Sequence, residues 1–524
     1  MFVETLKGIL GDQYVITDQE KRDYYSTDLS HLPHETATAV IQPGTVEELS
    51  RAVKAATSAG YAVIGRGGGT SYTKGFTPES AKSVIVDMRR INRIVEINAE
   101  DMYVTVECGC TWKILWEALK EKGLRTPYFG PLSGLYSTVG GALSQNSLFL
   151  GSGVYNTVAE SVLGLEVVLA DGSVVQTGSG AHKTSNAFYR HFGPDLTGIF
   201  TADTGAFGIK ARATFRLINL PGATVCCSYG FETLKEMLDA QIEIARLRIA
   251  SECYGFDPYY NAVFEKKGFT LRESLQLLTS IAKSGKTVAS GLKNAAKTAV
   301  VGKKVLKNIN YSLHSVMDGL DEAAANSSLK AVKEICSRNG VEIPNTLPIA
   351  FRAQPFVEFH NFVFGSDGEC WVPIHGFFPL SKTHAAAVAT EKFFRDHAAI
   401  MKRHNIKCSY LTCFSGTEFL IEPSFYWFDK IPQSVRELVA GEKFERKWLL
   451  IPEDLSSREA VLNMREKLRQ LYFELGACHL QIAKWYPFKE AMKNENTWRL
   501  LEGIKGVLDP KELMNPGCLG LRTK

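Results

Sequence analysis

The chain has 524 residues, a formal net charge of +4, 45% hydrophobic residues and 22% charged residues. Those fractions exclude a disordered chain, a collagen-like repeat and a coiled coil, and the length leaves room for two to four packed domains at roughly 150 residues each. No run approaches the roughly 18 apolar residues of a spanning helix, Met1 to Leu10 carries no secretory signal pattern, and eleven cysteines without a Cys-x-x-Cys read as reduced thiols of a cytoplasmic protein.

In chain order, Val46 to Gly60 sets Leu49, Val53 and Ala56 on one face and ends in glycine, predicting a helix. Ala62 to Ile64 and Ser83 to Asp87 read as strands, Thr105 to Glu107 as another, and Trp112 to Lys122 as a helix. Leu163 to Leu169, Asp171-Gly172 and Ser173 to Val175 form a hairpin signal, with Asp-Gly supplying the turn. The mixture predicts an α+β fold. Farther on, Thr233 to Ala250 and Ala385 to His404 are helical patterns, and Phe351 to Phe364 and Leu411 to Phe428 are strand candidates. Residues 351 to 430 hold 17 aromatics, which predicts a bulky core beneath a sheet, an aromatic-lined substrate cavity, or both.

Charge is uneven. Between Phe264 and Asn308 stand ten basic residues and two acids, so this window carries the whole positive excess. Leu271, Leu275, Leu278 and Ile281 recur there at helical spacing. The pattern suits either a helix lying on an anionic membrane surface or a solvated insertion, and the near-absence of interleaved aromatics argues against nucleic acid.

The sharpest local feature is Gly65-Arg66-Gly67-Gly68-Gly69-Thr70-Ser71 directly after a strand. Consecutive glycines bring several backbone N–H groups onto one anion, and Thr70 and Ser71 add hydroxyl donors, which is chemistry for a pyrophosphate. It follows neither the Walker pattern nor the Rossmann Gly-x-Gly-x-x-Gly opening a helix.

Further blocks follow in order: Ser137-Thr138-Val139-Gly140-Gly141, Gly151-Ser152-Gly153-Val154-Tyr155, Val162 to Gly172, Gly193-Pro194-Asp195-Leu196 and Thr201 to Ile209. The tail Leu508-Asp509-Pro510 through Asn515-Pro516-Gly517 closes the set. In this order the chain resembles the vanillyl-alcohol oxidase/p-cresol methylhydroxylase family of FAD-binding flavoproteins, with some similarity to FAD-linked D-lactate and glycolate dehydrogenases. The resemblance implies a two-subdomain FAD-binding domain at 1–222, a substrate domain of antiparallel sheet and helices at 223–460, and a segment at 461–524 that returns to the first. It implies that Gly67, Gly68, Gly69, Thr70 and Ser71 hold the pyrophosphate. Pro131, Ser137, Gly140, Gly141, Ser144, Gly153 and Tyr155 would run along the cofactor, Gly208 and Ile209 would sit near the adenosine, and Asn515 near the ring. Some members tether FAD through a histidine in the glycine loop or the substrate domain. Here neither the loop nor Thr417 to Ile421 has one, so non-covalent FAD is expected.

The substrate clamps of the resembling proteins are not intact. The histidines of Ile374-His375-Gly376-Phe377-Phe378-Pro379 through His384 are nine apart instead of seven, and Cys478-His479-Leu480 stands where Glu-His-Gly would be, so no metal is expected. An aromatic alcohol, an alkylphenol or a bulky 2-hydroxy acid is the expected substrate, oxidised by an FAD-dependent dehydrogenase or oxidase. His479 is the first candidate for the base and His375 the second, since an imidazole titrates in the needed range. Arg352 is the candidate anion clamp, and Tyr486 follows His479 closely. The alternatives are a D-2-hydroxy-acid dehydrogenase, a non-redox transferase resembling alkyl-dihydroxyacetone-phosphate synthase, and a flavin-binding protein without turnover. O2, a quinone or a carrier protein would take the electrons. Homodimerisation and peripheral membrane contact through 264–308 at the inner face stand as open expectations.

Overall fold

Short β-branched runs build three main sheets in the computed structural model, which describes residues 2–266 and 309–521. The first has four strands in the order Val15–Ile16, Ala39–Ile41, Ser83–Asp87, Ala62–Arg66, and is parallel except for its first pair. Helix Val46–Ser58 is the crossover between Ala39–Ile41 and Ala62–Arg66. It starts because the Thr45 side chain accepts a hydrogen bond from Glu48 N at 3.1 Å, and it buries Val46, Leu49, Ala52, Val53 and Ala56.

The second sheet is antiparallel throughout, in the order Ile94–Asn98, Tyr103–Glu107, Ile209–Arg216, Val162–Val168, Val174–Gln176. Its last pair is the Asp-Gly hairpin, with Gly172 at φ +83°. Helix Val46–Ser58 packs on this sheet as well, and Thr57 Oγ1 donates to Ala170 O at 2.6 Å.

The third sheet has eight antiparallel strands, built around the long hairpin Lys407–Ser415/Glu418–Trp427. Helices Leu234–Leu247, Glu322–Cys336, Thr383–Asp396 and Leu455–Glu474 pack against it over one large apolar core. Phe351 to Phe364 is not a strand. It forms helix Thr346–Ala353, a break at Pro355, and a short helix His360–Val363. Pro348 is tolerated in the first helical turn, and Pro355 forbids continuation past Gln354.

The C-terminal segment returns to the first sheet. Val63 N donates to Leu513 O at 2.7 Å and Asn515 N to Val63 O at 2.9 Å, covering the edge of Ala62–Arg66. Among the described residues no helix is long and apolar enough to cross a membrane. The basic window at 264–308 lies outside the described residues, apart from the end of helix Pro258–Lys266.

Candidate functional site: a cavity between the glycine loops and the eight-stranded sheet

One wall of the cavity is backbone. Gly67, Gly68, Gly69, Thr70 and Ser71 line it, as do Pro131, Ser137, Gly140, Gly141, Ser144, Gly208 and Ile209. The two glycine segments interlock so closely that side chains are excluded. A Cβ on Gly67 would fall 2.2 Å from Thr138 Oγ1, one on Gly68 2.0 Å from the Tyr136 carbonyl oxygen, and one on Gly140 2.8 Å from Cys108 Cβ. Hydroxyls knit the segments together, with Thr70 Oγ1 3.1 Å from Ser137 Oγ and Ser133 Oγ 2.6 Å from Ser137 Oγ.

Three sequence candidates for the cofactor stand outside the wall. Gly153 N donates to Ser251 O at 2.9 Å, docking this turn on the eight-stranded sheet, and Tyr155 packs near Arg125. Asn515 braces the loop from behind: its Nδ2 donates to Gly75 O at 2.8 Å and to Thr204 O at 2.7 Å.

The opposite wall comes from the eight-stranded sheet and its neighbours. Along the hairpin, side chains alternate, so Leu411, Cys413, Leu420 and Glu422 face the cavity while Phe419 and Ile421 enter the large core. Tyr260, Phe359, Phe362 and Trp371 add aromatic surface. Glu422 is the single carboxylate among the described residues lining this cavity, and no histidine lines it. Tyr72 OH donates to Glu422 Oε2 at 3.3 Å, and Gln481 Nε2 donates to Tyr72 OH at 3.2 Å. Burial pushes the Glu422 carboxyl up to about 7, against the Tyr72 hydrogen bond, which favours the ionised form. Burial and the neighbouring Glu422 charge push the Tyr72 hydroxyl well above its usual range, so it stays a donor.

None of the four residues expected at the reacting centre lines this cavity. His375 is fully buried, and its Nε2–H donates to Leu480 O at 2.6 Å. The His479 Nδ1–H donates to His375 O at 2.8 Å, and its ring stacks on Tyr486 at 3.7 Å. Burial pushes His375 down to about 3 and His479 down to about 4, so both are neutral structural donors. Tyr486 OH completes the group on His375. The segment 478–481 does reach the cavity, but through Leu480 and Gln481.

Arg352 is no free clamp. Its Nη1 pairs with Glu252 at 2.9 Å and its Nη2 with Asp318, which Arg125 also meets at 3.0 Å. This cluster ties the segment after Arg125 to two strands of the eight-stranded sheet. Burial alone would raise the Asp318 carboxyl, but Arg352 and Arg125 hold it well below its usual range, so its stabilisation is present above the ordinary carboxylate range and lost as pH falls. Arg352→Ala would strand the buried Glu252 carboxylate and weaken the hold on Asp318. We expect a loss of about 3–5 kcal/mol of unfolding free energy in urea titration, with a lower kcat unexpected for the fraction that stays folded.

Residues 37–178 match the family described as FAD binding domain, and residues 482–519 match FAD linked oxidases, C-terminal domain. Over residues 37–178 the chain carries an FAD-binding domain. The first match contains the interlocked glycine segments, and the second contains the strand-capping tail and Asn515. A curated relative, "Probable D-lactate dehydrogenase, mitochondrial" of Danio rerio, is 29% identical over 243 residues, covering 46% of this chain and 47% of its own length. The match therefore spans a little under half of that relative. Among solved structures, 4-ethylphenol oxidase from Gulosibacter chungangensis superposes with a TM-score of 0.73 at 19% identity, covering 100% of this chain and 97% of the other. p-Cresol methylhydroxylase superposes with a TM-score of 0.72 at 16% identity, covering 99% and 96%. These two likenesses establish the fold.

The residues present fit FAD. A Cβ on Gly67, Gly68 or Gly69 would clash with Thr138, Tyr136 or Arg66, so this stretch has to be glycine and meets the cavity as bare backbone, with the hydroxyls of Thr70, Ser71 and Ser137 beside it. Lys210 also lines the cavity, but its Nζ is paired with the buried Asp203 at 2.5 Å. Sequence reasoning missed Glu422, Tyr72 and Gln481. The available signal was a lone acid in the otherwise apolar run Phe419-Leu420-Ile421-Glu422-Pro423.

Proposed function

We propose that this chain oxidises an uncharged, bulky hydroxylated substrate of the aromatic-alcohol or alkylphenol kind. A benzylic alcohol loses a hydride from its carbinol carbon and a proton from its hydroxyl, whereas a 4-alkylphenol loses the hydride from its benzylic carbon and the proton from its phenolic hydroxyl. Bound FAD supplies the two-electron acceptor for the hydride. The proton needs a base of this chain, and the observation that supports the reading is Glu422, set in an aromatic wall with its carboxyl near neutrality. Tyr72, whose hydroxyl accepts from Gln481, donates to that carboxylate, and Trp371, Phe359 and Phe362 offer flat apolar surface for a ring.

The rival substrate, a 2-hydroxy acid such as the relative's name indicates, fits this wall poorly. No cation lines the cavity from the eight-stranded sheet among the described residues, and Glu422 would face the substrate's own carboxylate. The test is anaerobic bleaching of the flavin band by a panel of benzylic alcohols, 4-alkylphenols, D-lactate and glycolate. Reduction by a phenolic or benzylic member supports the reading; reduction by D-lactate or glycolate alone overturns it. Because no histidine lines the cavity among the described residues, acid precipitation is expected to release all FAD into the supernatant, whereas flavin retained in the pellet would show a covalent link.

A further inference from the structure

Arg66 ends the strand Ala62–Arg66 and is 1% exposed. Its three guanidinium nitrogens are buried and none has a hydrogen-bond acceptor. Aromatic rings surround it instead: its Cζ lies 5.0 Å from the Tyr24 ring centroid, 4.7 Å from Tyr25 and 5.1 Å from Phe76. The carboxylate opposite it in the strand pair, Asp87, is already held by Arg89 at 2.8 Å, Gln42 at 2.9 Å and Tyr25 at 3.1 Å. Cation–π contact returns only part of the cost of burying a charge with no ion-pair partner. Arg66 thus differs from Lys210, whose charge Asp203 neutralises.

The place of this charge is the second observation. A Cβ on Gly69 would fall 2.3 Å from Arg66 Nη2, so the guanidinium lies directly against the loop whose glycines line the cavity.

We propose that Arg66, which is itself among the residues lining the cavity, is the fixed counter-charge of the FAD pyrophosphate at the glycine loop, and that it makes the site selective for diphosphate-bearing ligands. The inference rests on the FAD assignment. The effect of Arg66 is expected on the phosphates and not on the flavin ring.

The test uses the full-length chain stripped of flavin, titrated with FAD and riboflavin by flavin fluorescence and with ADP by calorimetry. Arg66→Met keeps the apolar stem among the three rings and removes the charge. FAD and ADP affinity are expected to fall about a hundredfold, with riboflavin changed by less than about twofold. The apo-protein's Tm is expected to hold or rise, because an unpaired buried charge has been removed. Arg66→Lys, which restores the charge, is expected to recover most of the FAD and ADP affinity. A lowered apo Tm with equal weakening of FAD and riboflavin would show a merely structural arginine and overturn the proposal, as would unchanged ADP binding. A wild-type chain that binds neither FAD nor ADP overturns the cofactor assignment itself and the proposal with it.

Discussion

Glu422→Gln is expected to lower turnover by about a thousandfold, within the 10²–10⁴ range of general-base catalysis, while raising the Tm at pH 8. Both effects have one cause. In the native chain burial lifts the carboxyl to about 7, so ionising it in place is unfavourable. The sign follows from the folded pKa lying above the unfolded one: the protonated form's stabilisation is complete below the ordinary carboxylate range and is lost as pH rises through about 7. At pH 8 the wild type therefore carries a destabilising charge, on the order of 3 kcal/mol, that glutamine removes. Activity runs the other way, because the base works only when ionised. Wild-type kcat/KM is expected to rise through about pH 7, and this rise is expected to vanish in the residual activity of Glu422→Gln. Tyr72→Phe removes the hydrogen bond that favours the carboxylate, so the activity profile should shift to higher pH with a smaller loss of turnover. A glutamine variant with wild-type turnover would remove Glu422 from the mechanism. The combination sought, a slower enzyme that melts later, is the mark of a group kept for chemistry at the expense of stability.

The parts of this molecule that rest on local backbone constraint could be read from the sequence. Glycines 67–69 and 140 announce themselves because a Cβ at any of them would clash where the two segments interlock. Helix Val46–Ser58 and the Asp-Gly hairpin follow from periodicity and turn chemistry over a dozen residues. The proposed reacting centre does not obey that locality. Tyr72 and Glu422 meet across 350 positions, and Gln481 joins them from 409 positions beyond Tyr72. His479 invited selection by its ordinary titration range, but stacking on Tyr486 and burial remove it from that range and from the cavity. Arg352, apolar-flanked in the sequence, is in fact spoken for by Glu252 and Asp318 from distant strands. The aromatics from Phe351 to Phe364 suggested a strand by composition, yet the bounding prolines and a carboxylate decided otherwise: Glu442 accepts from Phe359 N at 2.6 Å and His360 N at 2.8 Å, which presents Phe359 and Phe362 to the cavity from a short helix.

Gly68→Ala is expected to abolish stable FAD retention, weakening binding by more than about a hundredfold and lowering the Tm. The added methyl would sit 2.0 Å from the Tyr136 carbonyl oxygen and 2.6 Å from its carbon. Relief has to come from backbone movement, since no flexible side chain is in the way. The Tyr136 side of the contact is pinned: Tyr136 N and Ser137 N both donate to Ser133 O at 2.9 Å, Trp112 N donates to Ser137 O at 3.2 Å, and the Tyr136 hydroxyl is held by Glu442. The loop at 67–69 must therefore be the part that gives way, pulling Thr70 from Ser137 and opening the cradle. Gly503→Ala supplies the contrast. It lies in helix Glu495–Leu508 with nothing within 4 Å of the new Cβ, so it should add about 0.5–1 kcal/mol of stability and keep a full flavin complement. Flavin content per chain after gel filtration, read from the visible band, decides the matter. A Gly68→Ala protein that eluted with one FAD per chain would mean that the cofactor is held somewhere other than between the two glycine segments.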